Sequence, residues 1–387
     1  MALRPLRQCS DTQRAKQYPM NANPAQPWIY SPKVDLMFIL GPAFFITALV
    51  ILLQNQLNTI TSVPPWLWLL LVVGVDVTHV YSTVFRTYFD REEMSKRASL
   101  YLLTPLLAWI VGCLLYSLGS MVFWRVLAYL AVFHFVRQQY GFMMIYARQE
   151  AKQFKFIDKL AIYSATIYPL IYWHTHDRNF DWFVESDFLK TDVNWISISA
   201  GLIYLVILLG YVIKEVWLWK QSHGFNWPRN LLLLGTACSW LFGIVIFDND
   251  IAFTAINVIS HGVPYLALMW IYGRNQAQLQ GNKNSFKFLW VAKMFQRKWV
   301  AVYLLVLFAW AYIEENVWDS LVWHEHGTVL YFADKLSIIN TEQTLIWLVP
   351  LLAMPQITHY VLDAFIWRMH QDNTNWKEIF FLQQKNS

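Results

Sequence analysis

The chain has 387 residues, of which 57% are hydrophobic and 14% are charged, and its net charge is +5. Soluble domains carry roughly 25% charged residues, so this composition excludes a soluble globular protein. We predict no nucleic-acid partner, because the excess of Lys and Arg falls in the loops on one side of the predicted membrane spans. The three cysteines lie in a tail or in predicted spans, which argues against a disulfide framework.

Long apolar segments recur along the whole chain, and about 20 apolar residues are enough for a helix to cross the hydrocarbon core. We therefore predict an all-α fold, a polytopic membrane helix bundle of about ten transmembrane helices. A polar tail (1–33) precedes a single transmembrane domain (34–368), and a second tail (369–387) follows it. In chain order, the predicted spans cover about 34–53, 65–89, 100–117, 121–146, 160–173, 195–217, 231–247, 251–272, 299–313 and 344–368.

The loop charges predict the orientation of these spans. The N-terminal tail and the loops after the second, fourth, sixth and eighth spans carry most of the Lys and Arg, whereas the other loops are uncharged or acidic. Basic loops stay on the cytoplasmic side of a membrane. We therefore expect both termini in the cytoplasm and an integral protein of the plasma (inner) membrane.

Four histidines, each in a different even-numbered span, interrupt the apolar segments: His79, His134, His261 and His359. Even-numbered spans run in the same direction. Each histidine lies about 9 to 12 residues from the cytoplasmic end of its span, which corresponds to about 14–18 Å of helix. The sequence therefore predicts four imidazoles in one layer near the middle of the bilayer, forming a metal site.

Each of these histidines has a polar neighbour three or four residues away, on the same helix face. Such neighbours either orient a ligating imidazole or, if they are carboxylates, bind the metal themselves. We predict Asp76, Asp363 and Gln138 as catalytic side chains, and Asn257, Gln356 and Arg137 as supporting ones. The neighbours are Asp76 for His79, Gln138 for His134, Asn257 for His261, and Gln356 and Asp363 for His359.

Arg137 complicates the interpretation of the carboxylates. It lies deep in its span, where a guanidinium needs an anionic partner. We expect it to pair with Asp76 or Asp363, and that pairing would compete with metal binding by the same carboxylate.

A cluster of neutral imidazoles in a dry site suits iron, copper or zinc, and a single bis-histidine haem is a further possibility. Zinc would indicate hydrolysis, but the chain lacks a HExxH motif. Iron with open coordination positions would indicate oxygen chemistry. Because the site lies within hydrocarbon, we expect an apolar substrate, such as an acyl chain, sterol, isoprenoid or carotenoid, and an electron donor as partner.

This layout is similar to that of integral-membrane non-haem iron oxygenases, including the Brp/Blh-type carotene dioxygenases, which use histidines from several spans. The resemblance implies iron and an oxidoreductase activity in lipid metabolism. It is confined to the layout: the histidine boxes of membrane desaturases and hydroxylases are absent. No residue role is therefore transferred from these families.

Three other functions remain open on the sequence. A proton-coupled transporter or channel would use the His, Asp and Arg side chains as a relay. A haem protein would transfer electrons, and a metal-free lipid transferase would use one histidine as a base. Two loop pairs, His174/His176 and His324/His326, have spacings that suit copper or zinc, but we favour the interpretation as solvated polar loops.

Overall fold

The computed structural model describes residues 26–60, 63–221, 224–280, 285–330 and 341–367. These residues are helical almost throughout, and within them there is no β-strand, only an isolated antiparallel bridge between Asp90 and Phe286. The all-α prediction is confirmed for this part of the chain. The tail 369–387 and most of the tail 1–33 lie outside the described residues.

Ten helical segments follow one another along the described chain, and each overlaps one of the predicted spans. Short turns connect most of them, as is common in membrane bundles. The segments are α1 (Pro32–Leu57), α2 (Pro65–Phe85), α3 (Arg91–Ser117), α4 (Ser120–Tyr146), α5 (Lys152–Thr175), α6 (Asn194–Lys220), α7 (Trp227–Ile246), α8 (Asp250–Gln280), α9 (Arg297–Trp323) and α10, which is divided into α10a (Glu342–Leu352) and α10b (Met354–Ile366).

Fewer than ten of these helices have the length and composition of a membrane span. Among the described residues, eight qualify individually, and the two parts of α10, which are bent by 41° relative to each other, make a ninth if they cross as one. The remaining helix, α5, is long enough but carries Lys155, Asp158 and Lys159 in its first half. The structure therefore indicates an integral membrane protein with eight or nine apolar helices.

Helix α8 lies at the centre of the bundle, whereas α6 lies at its edge. In the most apolar part of α8, 72% of the residues are buried by other helices, compared with 17% in α6. The exposed leucines, isoleucines and valines of α6 form a surface suited to lipid. The central position of α8 matters because this helix carries His261, which other helices can therefore surround.

Charged residues join α5, α6 and α7 at one end of the bundle. Lys214 contacts Asp158, and Arg229 contacts both Asp158 and Glu215. All four side chains are buried or nearly so. Buried charges of this kind are tolerated only when they are paired, so this network fixes the relative positions of the three helices.

A glycine allows α8 to approach α2 closely. A Cβ atom at Gly262 would lie 2.7 Å from the Val75 side chain and 3.3 Å from its carbonyl oxygen. Small residues commonly permit such approaches between membrane helices. Gly262 follows His261, and Val75 precedes Asp76 by one residue, so this contact brings the His79 and His261 helices together.

We expect Gly262→Ala to destabilise the fold by about 1–3 kcal/mol, because the added methyl group must displace Val75 or separate α2 from α8. The melting temperature of the purified protein in detergent measures the effect. Gly141→Ala on α4 is the matched control: a Cβ there meets nothing within 4 Å. This control variant should be as stable as the wild type or slightly more stable. Equal melting temperatures for the two variants would contradict the close approach.

Candidate metal centre

The structure brings the four histidines together from four different helices: His79 from α2, His134 from α4, His261 from α8 and His359 from α10b. Each imidazole is about 1–2% exposed. Ring centroids of five of the six possible pairs lie between 4.5 and 6.4 Å apart. The cluster is therefore a compact group of rings in the protein interior.

The Nε2 atoms of the imidazoles point towards one another. His79 Nε2 lies 3.1 Å from His261 Nε2, and His134 Nε2 lies 3.1 Å from His359 Nε2. For His79, His134 and His359, one ring nitrogen from each lies within 4.8 Å of the others. His261 does not belong to this group of three and joins the cluster through His79.

The Nδ1 atoms of the same three histidines face oxygen atoms. His359 Nδ1 lies 2.6 Å from Thr83 Oγ1, His134 Nδ1 lies 3.3 Å from Asp363 Oδ2, and His79 Nδ1 lies 3.5 Å from Asp76 Oδ1. A ligating histidine typically directs its second nitrogen to an oxygen acceptor in this way.

His261 is held differently. Its Nδ1, like that of His79, is buried without a hydrogen-bond partner among the described residues. Its ring is stacked on the Phe135 ring at a centroid distance of 3.5 Å. His134 and His359 are thus oriented by close polar contacts at Nδ1. His79 has the Asp76 carboxylate at the longer distance of 3.5 Å, and His261 is positioned by stacking.

Two protonation patterns are compatible with this geometry. If Nδ1 carries the proton wherever it faces an oxygen, the Nε2 lone pairs of His134 and His359 point at each other across 3.1 Å. That repulsion requires a cation between them. Alternatively, Thr83 donates to His359 Nδ1, and His359 Nε2–H then donates to His134 Nε2. The first pattern describes a metal site and the second a metal-free hydrogen-bonded cluster.

The donor set fits a transition metal. With metal–nitrogen bonds of about 2.1 Å, two ligand nitrogens lie about 3.0 Å apart at right angles and about 3.4 Å apart in a tetrahedron. The two observed Nε2 separations of 3.1 Å fall in this range. A haem does not fit, because the macrocycle needs a flat slot between two axial imidazoles and the neighbouring rings fill that space.

Next to the imidazoles, on the side of their Nδ1 atoms, hydrogen bonds join a layer of polar side chains. Tyr265 OH lies 2.9 Å from Thr83 Oγ1 and donates to Asp363 Oδ1 at 3.0 Å. The Trp367 indole also donates to Asp363. This layer connects α2, α8 and α10b and holds the carboxylate that faces His134.

A second polar cluster continues from this layer towards the α2–α3 connection. Arg86 forms a 3.0 Å ion pair with Glu93, and its guanidinium lies over the Tyr272 ring. Tyr272 OH donates to Asp90 at 2.7 Å. Burial raises the pKa of Asp90, an effect that the nearby Arg86 opposes. Together these contacts fix the ends of the helices that carry His79 and His261.

The predicted polar partners mostly bind across helices instead of along them. Only Asp76 faces the histidine that was expected, His79. Asp363 faces His134 instead of His359 on its own helix, and Gln138 donates to the His261 carbonyl oxygen at 2.9 Å. Asp76 and Asp363 both lie on the Nδ1 side of the rings, so their position is that of orienting groups and not of ligands.

Two supporting residues do not contact the imidazoles as predicted. Asn257 donates to the Phe253 carbonyl oxygen of its own helix. Gln356 is half-buried, and no hydrogen bond to it is found within the described part of the chain. Local helix geometry explains Asn257, since a side-chain amide can bond to the carbonyl four residues earlier.

Arg137 pairs with aromatic residues, which corrects the prediction of an ion pair with Asp76 or Asp363. It donates to Tyr163 OH at 2.8 Å, and its guanidinium lies over the Tyr140 ring. Tyr163 and Tyr140 provide a hydrogen-bond acceptor and a π-face without a full charge. Arg137 therefore forms no close ion pair with either carboxylate among the described residues, although it remains within electrostatic range of Asp363.

Thr83 and Tyr265 were missed in the sequence, although a signal was present. Thr83 is four residues after His79, and Tyr265 is four residues after His261. Gln138 and Asp363 stand in the same relation to His134 and His359. Every histidine of the cluster thus has a hydrogen-bonding residue one turn further along its helix.

The two loop pairs of histidines have structural contacts. His174 lies 2.7 Å from Tyr129 OH, and His176 is stacked on Tyr172. His326 is stacked on Trp68 and faces Asp319. Within the described residues, the only group of three or more His, Cys, Asp or Glu close enough to share a metal is the central one.

Comparisons with family models, with curated proteins and with solved structures found no match to this chain.

Replacing Asp363 by Asn should destabilise the protein by about 1–3 kcal/mol, because Tyr265, Trp367 and His134 would all lose a carboxylate partner in a buried site. Thermal unfolding in detergent measures this loss. Asp177→Asn is the control: Asp177 pairs with Lys190 at the surface and is 94% exposed, so no measurable change is expected there. A wild-type melting temperature for Asp363→Asn would show that the carboxylate does not organise the layer.

Proposed function

We propose that this protein is a membrane-embedded metalloenzyme, a non-haem iron oxygenase that acts on a lipid or isoprenoid substrate. One observation carries the proposal: a ring nitrogen from each of His79, His134 and His359 lies within 4.8 Å of the others, while the Nδ1 atom of each faces an oxygen atom. Imidazole ligands suit iron, and the burial of the site suits an apolar substrate.

In this proposal His79, His134 and His359 are the primary metal ligands, and His261 is the fourth. Asp76, Asp363 and Thr83 orient the three primary ligands and keep a proton on each Nδ1. Bound iron would supply the activation of dioxygen for attack on the substrate. Asp363 itself is held by Tyr265 and Trp367, so the ligand geometry is set before substrate arrives.

Aromatic side chains around the imidazoles keep the site dry. Phe135 is stacked on His261, and the Tyr360 ring lies 5.0 Å from that of His134. Both side chains are buried. Excluding water would protect reactive oxygen chemistry from side reactions.

We also propose a topology of ten spans in the plasma (inner) membrane, with both termini in the cytoplasm. This topology counts α5 and the bent α10 as full spans and rests on the distribution of Lys and Arg among the loops. A cytoplasmic electron donor would reach the protein on its basic side.

A proton relay in a transporter or channel is the second candidate function. It is favoured by the hydrogen-bonded line that runs from His359 through Thr83 and Tyr265 to Asp363. In this function the metal-free protonation pattern applies, and the protein carries no stoichiometric metal. Metal content therefore discriminates between the two candidates.

Purified wild-type protein, expressed with iron supplied, should contain about one iron per chain by elemental analysis. His134→Ala and His359→Ala should reduce this content to background, because each removes an oriented ligand. His261→Ala should retain more metal than either, since three oriented ligands remain.

His174→Ala is the matched control for these variants. His174 is half-buried and bonds to Tyr129 outside the central cluster, so its loss should leave the metal content unchanged. A metal-free wild type, prepared under these conditions, would reject the metalloenzyme and favour the relay. Zinc as the sole metal would reject the oxygenase.

Thr83→Val should weaken metal affinity about 10- to 100-fold, because it removes the oxygen that faces His359 Nδ1 while preserving side-chain volume. Competition with a metal chelator measures the affinity, and Thr83→Ser should restore it. Thr47→Val is the control, since within the described residues the Thr47 hydroxyl bonds only to the Ala43 carbonyl of its own helix. An unchanged metal affinity in Thr83→Val would show that Thr83 does not support metal binding.

A further inference from the structure

A groove opens between α2, α9 and the break in α10. Its volume is about 480 Å³, within the range of about 300–1,000 Å³ found for small-molecule sites. Its walls are mainly apolar, with Val84 from α2, Ile313 and Val317 from α9, and Leu352 and Pro355 from either side of the break. Ile313 is 61% exposed, so the groove borders the lipid-facing surface.

The groove shares its walls with two helices of the metal centre. Tyr81 lines the groove two residues after His79, and Pro355 lines it four residues before His359. The 41° bend between α10a and α10b displaces the first part of α10 from the continuous path of a straight helix. A molecule in the groove therefore lies beside the backbone segments that position both histidines.

One carboxyl group interrupts the apolar lining. Glu314 lies in the groove, and its Oε2 atom is buried without a hydrogen-bond partner among the described residues. The Tyr81 hydroxyl and the Trp318 indole face the same carboxyl group. A buried polar atom without a partner is costly in an apolar environment, and such a group in a membrane protein indicates a ligand or a functional role.

Tyr360 connects this carboxyl group with the imidazoles. Its ring lies 5.0 Å from that of His134 and 5.6 Å from that of His359. Its hydroxyl group is within electrostatic range of both Glu314 and Asp76. Tyr360 thus lies between the neighbourhood of Glu314 and the imidazole cluster.

We propose that the groove binds a lipid alcohol, with the apolar chain along the α9 wall and the hydroxyl group on Glu314. A hydroxyl group in the groove can donate to the Glu314 carboxylate, which is the acceptor in an otherwise mainly apolar lining. An uncharged hydroxyl also enters hydrocarbon at lower cost than an ammonium group. This names the substrate class of the proposed oxygenase and in that respect rests on it, but binding itself needs neither metal nor turnover.

Photocrosslinking in lipid nanodiscs tests the proposal. The probe is a long-chain primary alcohol carrying a diazirine and an alkyne, and the matched probe is its methyl ether. The alcohol should label α9 peptides roughly 5- to 10-fold more strongly than the ether, as expected for one buried hydrogen bond. Glu314→Leu should reduce alcohol labelling to the level of the ether.

Two tryptophan variants on one helix provide the steric test. Ile313→Trp fills the groove and should abolish preferential labelling. Leu305→Trp places the same side chain at a position that is 64% exposed and outside the groove, and it should label like the wild type. Equal labelling of these two variants, or equal labelling by alcohol and ether, would overturn the proposal.

His134→Ala separates this proposal from the enzyme hypothesis. It should lose metal and still label with the alcohol. If the wild-type protein is labelled preferentially by the alcohol but contains no metal, the lipid-alcohol site is supported and the oxygenase is rejected. If the wild-type protein contains metal but is not labelled preferentially by the alcohol, the metal centre is supported and the groove is rejected as the site of a lipid alcohol.

Discussion

The structure depends on satisfying polar side chains within an apolar helix bundle. Water is not available there, so each imidazole must find a protein partner or a ligand. Asp363 is the partner of His134, and Thr83 is the partner of His359. The Nε2 atoms of His134 and His359 lie 3.1 Å apart, as do those of His79 and His261. The helix that carries His261, α8, is also the most enclosed of the apolar helices among the described residues, with 72% of its most apolar part buried.

Much of this arrangement could be predicted from the sequence. Apolar length indicated the helices, and similar distances from the histidines to the ends of their spans indicated a common layer. Both signals are properties of single helices. The number of spans does not follow from single helices in the same way. Helix α5 has the length of a span, but Lys155, Asp158 and Lys159 shorten its apolar part. Its role depends on neighbours that a single-helix criterion ignores.

The pairing of side chains could not be predicted in this way. A spacing of three or four residues shows that two side chains share a helix face, but it does not show which neighbouring helix that face meets. Asp363 therefore faces His134 on α4, although its spacing suggested His359. Arg137 illustrates the converse: a charge expected to need a carboxylate is accommodated by Tyr163 and Tyr140.

The three histidines with an oxygen at Nδ1 are the same three whose ring nitrogens lie within 4.8 Å of one another. In His79, His134 and His359, an oxygen atom near Nδ1 thus occurs together with ring nitrogens that lie close to one another. His261 has neither property. The proposed metal centre accounts for this coincidence, because ligation of a single ion requires both at once. Catalytic metal sites commonly combine three fixed protein ligands with one exchangeable position. In the proposed metal centre, His261, which is held by its stack on Phe135, would take the exchangeable position.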